Sequence, residues 1–239
     1  MLRPQGHPLI AAAIDLVMAP MDRLRPRVVQ HARGRTLEIG AGTGLNFAYY
    51  ADDVELVAIE PDPHMLRRAR ARAERLGRAV ELVQTGAEAL PFEDDSFDTV
   101  VATWVFCTIP DAAGAAAEVA RVLKPGGIAA ITVPNANYPF WWDPINKTLE
   151  TLFNTHIGSG PLAGLWANHV RLYTREQLQE SVRSAGFIID ETRAFTHYSF
   201  PFIHNIVYGL GKPLLESGAL PKNMATAANR ITFDENQGS

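Results

Sequence analysis

The sequence predicts a doubly wound, mostly parallel α/β sheet of seven strands, the last of them antiparallel. Two observations carry this prediction. Short apolar strand patterns alternate with helical patterns along most of the 239 residues, and strands separated by helices form right-handed parallel crossovers. The first strand, Thr36–Ile39, also runs straight into glycines at alternate positions, Gly40, Gly42 and Gly44. Such a bend lets backbone approach a nucleotide-like ligand where side chains would obstruct it.

Residues 1–33 read as one or two helices ahead of that strand. A helix is expected from about Gly44. Val54–Ile59 is the second strand, ending in Glu60. A helix over 62–76 follows, with Leu66, Ala69, Ala73 and Leu76 on one face. Val80–Val83 is the third strand. Phe97–Ala102 is the fourth, apolar enough to be buried on both faces. Helix 112–123 turns Val119, Val122 and Leu123 inward and stops at Lys124-Pro-Gly-Gly127. Ile128–Val133 is the fifth strand.

About forty residues, 134–173, then separate this strand from the next clear helix. A structureless loop of that length would be unusual, so internal structure is expected. Asp143-Pro144 supplies an N-cap and a first-turn proline. Behind them Ile145, Leu149, Leu152 and Phe153 form an apolar helix face that ends at 158–161. Thr174-Arg-Glu-Gln177 is a capping box for another helix, with Leu178, Val182 and Ala185 inward and Gly186 as its stop. Phe187–Asp190 begins a sixth strand, and Ile206–Leu210 is assigned as the antiparallel seventh. The polar stretch 223–239 reads as a loose tail. The chain is therefore one domain over 1–239, with 134–173 as a helical cap on the acceptor side.

Composition narrows the function. The hydrophobic content is 47% and the formal net charge −4, which argues against a domain built to hold nucleic acid. The single cysteine, Cys107, rules out an intrachain disulfide framework; a cytoplasmic protein is expected. The apolar run 8–20 is broken by Asp15 and is read as a helix beside the ligand site, not as a leader or a membrane span. The seven histidines show no metal-ligand spacing.

The glycine bend and Glu60 belong together. A carboxylate at the end of the second strand accepts from ribose hydroxyls while the glycines lie under the ligand. Nicotinamide and flavin folds share that pair, so the later motifs discriminate. They are Thr85-Gly-Ala-Glu88, Thr103-Trp-Val-Phe-Cys-Thr-Ile109 and Arg121-Val-Leu-Lys-Pro-Gly-Gly127. In this order the set resembles the class I S-adenosylmethionine (SAM)-dependent methyltransferases. It is most similar to the type 11 branch, which includes quinone-biosynthesis, thiol and lipid methyltransferases. The resemblance covers roughly 34–186 and speaks to fold and cofactor, not to acceptor.

The resemblance implies a role for each matching residue. Glu38, Gly40, Ala41, Gly42 and Gly44 would hold the methionine and ribose part of SAM. Glu60 would take both ribose hydroxyls, and Pro61 and Met65 would flank the adenine. Gly86, Ala87 and Glu88 would lie by the adenine edge. Thr103, with Trp104 nearby, would face the methionine amino group.

Other features have simpler readings. The six arginines Arg67, Arg68, Arg70, Arg72, Arg75 and Arg78 occupy the outer positions of a helix and read as a solvated face. Cys107, in an apolar setting without a base, reads as packing. His169, Tyr173 and His197 are the candidates for a general base, needed only if the acceptor must lose a proton early. The aromatics of the insertion and of the segment after Phe195 suit a greasy acceptor pocket or contact with a membrane surface. The sequence thus points to methyl transfer from SAM to a small, fairly apolar acceptor: a thiol, a quinol or phenol, or a lipid headgroup. A macromolecular methyltransferase, a non-catalytic SAM-binding module and a nicotinamide-dependent oxidoreductase are the alternatives.

Overall fold

The computed structural model describes residues 22–160, 162–166 and 169–194, together with Asp15. These fall into two units. One holds the described residues up to Val133 and Glu176–Asp190, and the other holds those of Pro134–Arg175 and 191–194.

The first unit is built on strands β1 (Arg35–Ile39), β2 (Glu55–Ile59), β3 (Val80–Val83), β4 (Phe97–Thr103) and β5 (Leu123–Thr132). All pairings are parallel, in the order β3-β2-β1-β4-β5. The chain winds outward from β1 in one direction and from β4 in the other, so the order reverses between those two strands. Ligands in doubly wound sheets sit at that reversal, outside the strands' carboxyl ends.

Helix α1 (Arg25–Val29) precedes the sheet, and α2 (Pro63–Leu76) and α3 (Ala112–Val122) are crossovers. Asp62 caps α2 by accepting from the His64 and Met65 N–H groups, which satisfies donors that the first turn leaves open. Leu66, Ala69 and Ala73 are buried as the periodicity requires, whereas Leu76, in the last turn, is exposed. Helix α3 buries Ala112, Ala115, Ala116, Val119 and Val122. Strand β4 is buried along nearly its whole length, as its largely apolar character predicts.

Three expectations are corrected. No regular helix follows Gly44; the chain makes turns and one 3-10 turn, Phe47–Tyr49. Gly44 itself is left-handed at φ +79°, outside the helical region. Strand β5 starts earlier than Ile128: Phe97 pairs with Leu123 and Thr99 with Ile128, so Lys124–Gly127 bulges out of register.

The described sheet has five parallel strands, not seven with an antiparallel last strand. Phe187–Asp190 forms no strand. After helix α5 (Arg175–Ser184), the Gly186 N–H bonds to the Arg183 carbonyl and the Phe187 N–H to the Val182 carbonyl. Phe187 thus spends its donor closing the helix, and Ile188 is left 91% exposed. Ile206–Leu210 lies outside the described residues, as do residues 1–14 and the tail.

In the second unit the insertion is structured, as its length predicts. It contains helix α4 (Pro144–Phe153), 3-10 turns at Phe140–Trp142 and Gly164–Trp166, and a parallel bridge between Asn135 and Tyr173. Its small core is Tyr138, Leu165 and Leu172, with Trp142 and Trp166 packed against them. The apolar face of α4 is only partly covered, with Ile145 and Leu149 half-buried. Asp143 and Asn146 are fully buried, while Leu152 and Phe153 are 67% and 68% exposed. The polar pair is satisfied from all sides. Asp143 accepts from the Leu165 N–H (2.8 Å) and the Asn146 side chain (2.8 Å), and Asn146 donates to the Leu162 and Ala163 carbonyls and accepts from the Ile157 N–H.

Candidate cofactor site

The chain leaves β1 through the glycine bend. Gly40 is left-handed at φ +66°, and a β-carbon there would come within 2.4 Å of the Val105 side chain. The bend after β1 is therefore pressed against the turn after β4. In front of Gly42 the space is open, with nothing within 4 Å of where a β-carbon would sit. Its N–H points to Glu60, donating to Oε2 at 2.9 Å.

Glu60 follows β2 and is buried. Its other oxygen, Oε1, accepts from the Asp62 N–H at 2.9 Å. Burial pushes its pKa up, and the Asp62 and Gly42 N–H groups pull it back. Each oxygen keeps a lone pair beyond these bonds, so the carboxylate can still accept two hydroxyls from a vicinal diol.

Beneath the bend lies a buried polar cluster. The Asn46 side-chain amide donates to Glu38 Oε1 (3.0 Å) and to Thr103 Oγ1 (2.9 Å), and its oxygen accepts from Arg25 Nη1 (2.8 Å). Glu38 is 1% exposed. Burial pushes its pKa up to about 7, with the Tyr50 hydroxyl, the Asn46 amide and the Arg25 charge pulling down and Glu60 pushing up. Its Oε2 makes no close hydrogen bond, and the neighbour that acts on this carboxylate is the Tyr50 hydroxyl, also buried without a close partner. Trp104, next after β4, is left-handed at φ +54° and donates its N–H to the Thr132 carbonyl at 2.9 Å. Cys107 is buried, with Sγ against the Trp104 carbonyl at 3.4 Å, which agrees with a packing role.

The structure thus brings Glu38, Gly40, Ala41, Gly42, Gly44, Glu60, Thr103 and Trp104 to the carboxyl ends of β1, β2 and β4. Pro61 and Met65 follow directly, in the turn and first helical turn after β2, and Gln84 donates to the Pro61 carbonyl at 3.3 Å. Gly86, Ala87 and Glu88 follow β3, with Ala87 buried and Glu88 exposed. An acidic pair and open space over a glycine N–H suit an adenosyl ligand bearing a diol and an ammonium group. An open hollow of about 430 Å³ beside Arg70, Glu74, Arg78 and Val80 lies instead at the amino end of β3 and is unrelated to this site.

The base candidates lie in the second unit or outside the description. His169 has Nδ1 2.7 Å from the Leu165 carbonyl, and burial lowers its pKa. Tyr173 is buried and bridges Asn135 through its backbone. His197 lies outside the described residues.

Sequence reasoning missed Asn46, Arg25 and Arg72. Arg72 leaves the supposed solvated face: it bonds to the Thr43 carbonyl (3.0 Å) and to Asp15 (2.6 Å). Arg78 likewise binds the Tyr50 carbonyl at 2.8 Å. The available signal was a lone polar residue, Asn46, at the end of the glycine bend and ahead of aromatic residues.

A family model described as a methyltransferase domain matches residues 37–131. Malonyl-[acyl-carrier protein] O-methyltransferase of Geobacter sulfurreducens is 30% identical over 213 residues, covering 84% of this chain and 77% of that protein. Phosphatidylethanolamine N-methyltransferase of Cereibacter sphaeroides is 38% identical over 112 residues, covering 45% of this chain and 55% of that protein. Among solved structures, a SAM-dependent methyltransferase and possible histamine N-methyltransferase of Thermotoga maritima aligns with a TM-score of 0.56 at 25% identity, over 76% of this chain and 80% of that one. The chain belongs to the class I SAM-dependent methyltransferases, in the type 11 branch. It spans about half the length of the first curated relatives it matches.

Proposed function

We propose that this protein transfers a methyl group from SAM to a small, fairly apolar acceptor such as a thiol, a quinol or phenol, or a lipid headgroup. The observation that carries the reading is Glu60 held at the end of β2 by the Gly42 N–H, which couples a diol acceptor to the glycine bend. Glu60 takes the ribose hydroxyls, and Gly42 and Ala41 lie under the sugar. Glu38 and the Thr103 backbone receive the ammonium. Pro61, Met65, Ala87 and Glu88 line the adenine.

When bound, SAM supplies a methyl group already activated on a sulfonium. What remains for the chain is to align the acceptor and exclude water. A base is needed only for an acceptor that must lose a proton early, and His169, Tyr173 and His197 are the residues to test. We assign acceptor contact to the 134–173 insertion, whose Phe140, Trp141, Leu152 and Phe153 are exposed apolar side chains. The same side chains favour a greasy acceptor or a membrane surface that presents one. A lipid acceptor is supported by the phosphatidylethanolamine relative. Among the described residues, no helix is long and apolar enough to cross a membrane.

The test is transfer of labelled methyl from SAM to panels of thiols, quinols and phospholipid headgroups. Label in one panel is expected. Intact SAM binding with silence across all panels would remove the small-acceptor reading and favour a macromolecular acceptor or a non-catalytic module.

A further inference from the structure

We propose that Arg25 receives the carboxylate at the amino-acid end of the adenosyl ligand, a role that rests on the cofactor reading above. Arg25 comes from α1, ahead of the sheet, and is only 4% exposed. A buried guanidinium costs desolvation energy unless its charge is answered. Here the answer is incomplete. Nε donates to Asp22 Oδ1 at 2.9 Å and Nη1 to Asn46 Oδ1 at 2.8 Å, and the group lies 5.1 Å from the centre of the Trp104 ring. The described residues supply no acceptor for Nη2. The Asp22 side chain is 39% exposed, so water screens its charge, and Asn46 is neutral. The buried acid nearest in this cluster, Glu38, has its pKa pushed up to about 7 by burial, so at neutral pH it cancels only part of the cation.

The placement matches the chemistry. Asn46 belongs to the bend after β1 and Trp104 to the turn after β4, the two turns that flank the reversal of strand order. Arg25 is the one cation among the described residues shown in contact with both. Asn46 also keeps Arg25 and Glu38 apart: its oxygen faces the guanidinium, and its NH₂ faces Glu38 Oε1 and Thr103 Oγ1. A cation and an acid held on opposite ends of one amide present complementary partners to a zwitterionic amino-acid group. The planar fork of arginine suits a carboxylate.

The test compares SAM with decarboxylated SAM by calorimetry. The wild-type protein should bind SAM about tenfold or more tightly, the range expected for a charge-assisted hydrogen-bond pair. Arg25→Gln, which keeps a donor for Asn46, should bring SAM affinity down to that of the decarboxylated ligand and leave the latter within about twofold of wild type. Arg25→Lys should fall between. Equal wild-type affinity for the two ligands, or an Arg25→Gln loss shared by both, overturns the proposal while leaving the cofactor reading standing. Failure of the wild type to bind either ligand overturns both. The wild-type comparison needs no variant to fold.

Discussion

At the residue scale, the site depends on where two carboxylates sit and what their burial does to them. Replacing Glu60 with Ala removes the charged acceptor for a diol and should weaken SAM binding by about 1.5–3 kcal/mol, read by calorimetry. Glu38 gives a pH signature. Its folded pKa is pushed up to about 7 by burial, from an ordinary value of 4.5. The folded protein therefore keeps a proton that the unfolded chain has released between those values. Stability from this group is complete below pH 4.5 and is lost as pH rises toward 7. Thermal unfolding of Glu38→Gln should fall less steeply over this window than that of the wild type; parallel curves would contradict a buried, proton-holding Glu38. Gly40→Ala tests the junction of the two turns. A left-handed alanine pressed into Val105 should cost about 1–3 kcal/mol of stability, measured by denaturant unfolding.

At the element scale, the amino-terminal strands were readable because each carries its own signal. β2 and β4 carry short apolar runs, Leu56–Ile59 and Val100–Ala102, β1 leads straight into the glycine bend, and α2 has Asp62 before it and Gly77 after it. The second unit was readable only in outline. Asp143-Pro144 announced α4 and the periodicity its apolar face, yet of that face Ile145 and Leu149 are only half-buried and Leu152 and Phe153 are exposed. Burial there is decided by Asp143 and Asn146, whose hydrogen bonds run to Ile157, Leu162, Ala163 and Leu165. Partners eleven to twenty-two residues away leave no mark in a hydropathy pattern. Asp143→Ala should lose the helix cap and strand the Leu165 N–H in the interior, costing about 2–4 kcal/mol. Limited proteolysis should then cut within 134–175 sooner than in the wild type, and unchanged protection would contradict this account. Phe187–Asp190 misled for a related reason. Its apolar run promised a strand, but the Phe187 N–H was already committed to closing α5.

At the scale of the whole molecule, the glycine bend, Glu60 and the turn after β4 lie far apart in sequence. They meet because a doubly wound sheet reverses its strand order between β1 and β4. The cofactor residues could be proposed from motif order, since the motifs mark strand ends. Asn46, Arg25 and Arg72 could not, because their roles come from packing between elements: α1 against the turns, and α2 against Thr43. The acceptor is less legible still. In-line displacement from an activated sulfonium asks for alignment more than for a fixed set of catalytic side chains, so no acceptor motif has to be written in the chain.

The central claim is that the carboxyl-end rim of β2, β1 and β4 binds an adenosyl ligand through Glu60. Calorimetry of the wild type and Glu60→Ala with S-adenosylhomocysteine and with NAD(H) tests it most directly. The account predicts one site for S-adenosylhomocysteine, weakened by the substitution, and no binding of NAD(H). Binding of NAD(H) alone, or S-adenosylhomocysteine affinity indifferent to Glu60, would contradict it.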